Sequence, residues 1–106
     1  MHIYTEAKTI ALEAWNESNF DIDAAMEFVH QSCDGHEIAI YSGKAIEFCA
    51  TQDTSDGEQW LEDCGSITQS GDTFGSIACR IAFATLLVAT QESLQEIADQ
   101  HEESEI

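Results

Sequence analysis

Apolar residues recur along this chain at helical spacing far more often than at strand spacing. From Ile3 to Ser18, Tyr4, Ala7, Ala11, Ala14 and Trp15 fall on one side of a helical wheel, which predicts an amphipathic helix. Asn19 to Asp21 interrupts the pattern, with Asp21 suited to cap the next helix and Phe20 placed to staple it. Ile22, Ala25, Met26, Val29 and Cys33 then form the inner stripe of a second helix, Asp23 sits in its first turn, and Asp34-Gly35 ends it.

The next segment, HEIAIYSGKAIEFCATQ, supports two readings. Ile38 and Ile40 alternate as in a strand, with Ser42-Gly43 as a turn, which allows a short β-hairpin near residues 37–50. Ala45, Ile46, Cys49 and Ala50 recur as in a helix, and Lys44, Ala45 and Glu47 favour that state for the latter half. Asp53 to Gly57 reads as a loop, with Asp56 capping a short helix through Trp60 and Leu61 that stops near Cys64-Gly65. A stretch rich in Gly, Ser and Thr, predicted to be flexible, runs from Gly65 to Thr73. The last predicted helix, from about Phe74 to Asp99, begins with Ile77, Ala78, Ile81, Ala82, Phe83, Leu86, Leu87 and Val88. So apolar a helix belongs in the centre of a fold. The expectation is a mostly α protein, a single compact helical domain over residues 1–100, followed by an acidic tail at 101–106.

Composition changes this picture through charge. Three basic residues face 21 acidic ones, a formal net charge of −18 over 106 residues, while 43% of the chain is hydrophobic and able to form a core. Such a surface repels nucleic acid and lipid headgroups. Adaptation to high salt would also produce it, but four Cys, five Phe and repeated Ile point to an ordinary core. MHIYTEAKTI lacks the basic and apolar regions of a signal peptide, and the apolar run Ile77 to Ala89 is interrupted by Arg80 and Thr85. The expectation is a cytoplasmic protein with Cys33, Cys49, Cys64 and Cys79 as free, buried thiols.

Catalytic signatures are scarce. There is no G-x-S-x-G elbow, phosphate-binding glycine loop or H-E-x-x-H. DTSDG resembles a calcium loop only in part, since Gln52 and Thr54 fall where oxygen anions are required. His30, Cys33 and His36 recur in three-residue steps that could bind zinc, but no C-x-x-C pair supports this and Cys33 already belongs to an apolar stripe. A Cys-His nucleophile pair has nothing to select one cysteine of the four. Neither a metal nor another cofactor is expected. Arg80, the lone arginine, fits a bidentate pair with a carboxylate from another helix, and Trp15 and Trp60 fit core or core-edge positions.

The acidic stripes remain as functional candidates. Glu6, Glu13 and Glu17 share a face of the first helix, Asp23 and Glu27 lie on the second, and Glu92, Glu96, Asp99 and Glu103 share a face of the last. Solvated helix faces usually interleave Lys with Glu, and these do not. Rows of carboxylates with no interleaved cations resemble the regularly spaced anions of a DNA strand, so a protein that binds DNA through Lys and Arg would be drawn to them.

The stretch DGHEIAIYSGKAIEFC resembles a motif of small acidic proteins encoded by bacteriophages and mobile elements. The likeness extends through DTSDGEQWLEDCG into the last helix, about two-thirds of the chain. It implies a phage or mobile-element origin and action in a bacterial cytoplasm. Small acidic phage proteins include DNA mimics that block restriction enzymes or CRISPR effector complexes. The expectation that follows is a non-enzymatic inhibitor that binds a basic nucleic-acid-binding protein through Glu6, Glu13, Glu17, Asp23, Glu27, Glu92, Glu96 and Asp99. The alternative is an acidic structural or interaction module, a homodimer through the last helix, whose charge serves solubility.

Overall fold

A computed structural model describes residues 3–65 and 71–104, of which 84% are helical and none lies in a strand. Six helices follow one another: α1 (Ile3–Glu17), α2 (Ile22–Asp34), α3 (Glu37–Ile40), α4 (Ser42–Thr51), α5 (Ser55–Asp63) and α6 (Phe74–Ser104). The protein is mostly α, as the periodicity predicts. Its internal contacts gather into two compact units. The first holds residues 1–32 and 89–106, hence α1, most of α2 and the end of α6; the second holds residues 33–88.

In the first unit, Ala7, Ala11, Ala14 and Ala25 have no exposed surface, and these small side chains allow helix backbones to approach closely. Val29, Leu94 and Thr90 are equally buried, and Trp15 covers the edge. Tyr4, expected in the same stripe, lies outside the described side chains. Helix α1 ends with Phe20 N–H donating to the Trp15 carbonyl at 3.0 Å, a six-residue closure that places Asn19 and Phe20 at φ of 55° and 65°. Asn tolerates the left-handed region; Phe does so rarely. Phe20 is compensated by stacking on His101, with ring centroids 5.3 Å apart, and by contact with Trp15 at 5.7 Å. Its ring is therefore engaged with the end of α6. Asp21 caps α2 as predicted, its Oδ1 accepting from the N–H of Asp23 at 3.0 Å and of Ala24 at 3.4 Å.

In the second unit the hairpin alternative for residues 37–50 is replaced by two helices. Ile38 and Ile40 occupy a single helical turn, one inward and one outward, which mimics strand alternation over so short a span. His36 Nδ1 accepts from Ile38 N–H at 3.4 Å, and Tyr41 N–H closes the turn on the Glu37 carbonyl at 3.0 Å. Helix α5 starts one residue before the expected cap: Asp56 lies inside its first turn, while Asp53 accepts from the N–H and Oγ of Ser55 at 3.0 and 2.6 Å. Gly57 meets α6 backbone to backbone, since a Cβ there would lie 2.5 Å from Thr85 N and 2.7 Å from its Cα. Leu61, Ile38, Phe48, Leu86 and Leu87 are buried in the same unit, and Trp60 meets Phe83 edge to face.

The expected flexible stretch falls in part on residues 66–70, outside the described residues. Thr73 then opens α6, accepting from Ser76 N–H at 3.1 Å. Arg80 forms the expected bidentate pair, at 2.8 and 2.9 Å, but with Asp72 just ahead of its own helix and not with a carboxylate of another helix. The end of α6 also differs from expectation. Helical structure continues past Asp99 to Ser104, so His101 and Glu102 extend the rod in place of a tail, and His101 is held by the aromatic rings of Trp15 and Phe20. By length and apolar composition alone α6 could cross a membrane, although Arg80 is charged and 39% of that stretch is buried within the protein.

Candidate interaction surface

All eight carboxylates expected to contact a partner lie in the first unit. Glu6, Glu13 and Glu17 come from α1, Asp23 and Glu27 from α2, and Glu92, Glu96 and Asp99 from α6. Seven are exposed and Glu6 is half-buried. That unit carries 12 Asp and Glu residues and one Lys or Arg, Lys8. Among the described residues Lys8 closes no ion pair, although it borders a cleft with Glu92 and Glu96. Asp99 accepts from Gln95 one turn earlier at 3.0 Å, which fixes the carboxylate without neutralising it.

The nine acidic residues of the second unit have different company. Lys44 pairs with Glu37 across the α3–α4 junction, and Arg80 with Asp72. The hydrogen bond to Lys44 and its charge hold the Glu37 carboxyl below the usual range and push Lys44 above its ordinary value. Two hydrogen bonds from Ser55 likewise lower the Asp53 carboxyl.

The cysteines divide by exposure. Cys33 is fully buried and Cys49 and Cys79 partly so, but Cys64 is exposed, contrary to the expectation of four buried thiols. Burial, with the charge of Glu58 and the nearby Cys79 adding to it, raises the Cys49 thiol above the ordinary range. His30, Cys33 and His36 do not converge. Cys33 points into the core, His30 is exposed, and His36 caps α3. Among the described residues no three His, Cys, Asp or Glu side chains gather as a metal site.

Sequence reasoning missed a groove between α1 and α6. Lys8 and Leu12, one turn apart, form one wall; Ser93, Glu96, Ile97 and Gln100 form the other. The groove continues past Ala89 and Glu92 towards the start of the unit's α6 segment. Leu12 is 53% exposed there, an apolar side chain on the otherwise polar face of α1. The signal was present in the sequence as a Leu outside the alanine stripe, but it has meaning only beside Ile97.

Comparison with known proteins finds no matching family model, no matching curated protein and no matching solved structure.

Proposed function

We propose that this protein is a non-enzymatic inhibitor whose acidic helical surface mimics DNA and occupies the nucleic-acid-binding groove of a bacterial defence complex, a CRISPR effector or a restriction enzyme. The observation that carries the reading is the gathering of Glu13, Glu17, Asp23, Glu27, Glu92, Glu96 and Asp99, all exposed, in one unit with a single Lys. Carboxylates arranged on rigid helices keep their spacing as a partner approaches, which suits them to a row of Lys and Arg that otherwise grips phosphates. Glu6, half-buried, belongs to the same unit. Action in the bacterial cytoplasm and a phage or mobile-element origin are parts of the same proposal, resting on the motif DGHEIAIYSGKAIEFC.

The test is a tagged pulldown from bacterial lysate at physiological salt and at several times that concentration, with DNA as competitor. A nucleic-acid-binding complex that is retained at low salt, released at high salt and displaced by DNA supports mimicry. Retention of no basic partner at either salt level overturns it for that host. A second reading, an interaction module that forms a homodimer, draws on Phe74, which is 75% exposed at the start of α6. Light scattering across protein concentration distinguishes it, since a dimer held by apolar contact persists when salt is raised.

A further inference from the structure

We infer that the groove between α1 and the end of α6 receives an amphipathic, cationic helix of a partner protein, with Leu12 and Ile97 as its apolar floor and Glu92 and Glu96 as its charged rim. The inference rests on the proposed reading that the partner is basic, and it specifies the part of that partner that docks. The groove lies within one unit and is lined by residues at helical spacing, Lys8 and Leu12 on one side and Ser93, Glu96, Ile97 and Gln100 on the other. With Ala89 and Glu92 it follows α6 for twelve residues, Ala89 to Gln100, about 16 Å, or roughly three turns of an incoming helix. Leu12 presents half its surface to solvent beside the partly buried Ile97, a pair that an apolar side chain at one helical position would cover.

Charge selects the occupant. Glu92 and Glu96, with Asp99 one turn on, favour Lys and Arg along the outer edge of the visiting helix. Lys8 on the opposite wall disfavours a rod that is cationic all round, so the occupant has one apolar face and one basic face. A DNA-mimicking surface would then hold its target by two means: charge, which screens with salt, and an apolar anchor, which does not.

The experiment titrates the full chain with two synthetic 14-residue peptides of identical Leu and Lys content. One places Leu at helical positions i, i+4 and i+7; the other is scrambled so that no face is apolar. Calorimetry gives affinities and amide chemical shifts give the location. The amphipathic peptide is expected to bind about tenfold more tightly, as burial of one Leu side chain implies. Its shifts should centre on Lys8, Leu12, Ser93 and Ile97, and Leu12→Asn should remove the advantage while leaving the scrambled peptide's affinity unchanged. Leu12 is exposed, so this variant folds, which its circular dichroism would verify. Equal, salt-sensitive binding of both peptides with no response to Leu12→Asn overturns the groove while leaving the acidic-surface reading intact. If neither peptide binds at low salt, both readings are overturned.

Discussion

The two units of this protein handle negative charge in opposite ways. Residues 1–32 and 89–106 carry 12 carboxylates with Lys8 as the lone basic partner, and leave that Lys beside a cleft; residues 33–88 carry nine, and both of their cations are locked into ion pairs. In the second unit charge does structural work at Asp72 and Arg80, which tie the entry of α6 to its first turns, while the exposed Lys44–Glu37 pair spans the α3–α4 junction. In the first unit it is held outward on three helices whose packing relies on alanine, so the same residue types serve assembly in one place and presentation in the other. A large net charge therefore says little until its distribution is known.

The largest effects that would break this comparison are in packing. Gly57→Ala should unfold the second unit or lower stability by about 2–3 kcal/mol in urea titration, because the new Cβ meets Thr85 backbone that cannot yield. Leu94→Ala in the first unit should cost about 3 kcal/mol by leaving a cavity where the side chain is fully buried. If one of these substitutions melts both halves together by amide exchange, the units are a single cooperative body.

Charge variants come next. Asp72→Ala leaves Arg80, mostly buried, without its bidentate partner and should cost about 1–2 kcal/mol. Glu92→Lys with Glu96→Lys should abolish capture of a basic partner while leaving the melting curve nearly unchanged, whereas Glu58→Lys with Glu62→Lys in the second unit should leave capture intact. Equal loss from both pairs would show that net charge, and not its placement, governs binding.

The smallest effects concern exposed pairs and protons. Lys44→Gln should be lost in the scatter of an unfolding curve, since Lys44 and Glu37 are both well exposed. Glu37 and Asp53 have carboxyls lowered in the folded state, so their stabilising contribution is present above the ordinary carboxylate range and is lost as pH falls through their lowered values. Glu37→Gln together with Asp53→Asn should flatten that acid limb slightly in melting experiments from pH 5 to pH 3. Thiol labelling gives a further check on burial: Cys64 should react first and Cys33 last, with Cys49 slowed by its raised thiol.

Helix positions were legible wherever local periodicity and capping agreed. Asp21 announced α2, and the alanine stripe of α1 and the start of α6 at Phe74 were read directly. Local pattern misleads where one turn of helix imitates a strand, at Ile38 and Ile40, and is silent on remote contacts such as that of Phe20 with His101 at the far end of α6. A lone arginine in an apolar helix predicts an ion pair, but spacing alone does not choose its loop partner Asp72 among so many carboxylates. The acidic stripes were visible one helix at a time. Their membership of a single unit depends on the chain's end returning to its beginning, which no local pattern encodes.

Each unit also contains one tryptophan: Trp15 beside His101 and Phe20 in the first, Trp60 against Phe83 in the second. Nature has thus placed a separate optical reporter in each half. Trp60→Phe leaves a chain whose emission follows the carboxylate-presenting unit alone, and Trp15→Phe one that follows the ion-paired unit, so a partner's arrival could be timed at each half without attaching a dye.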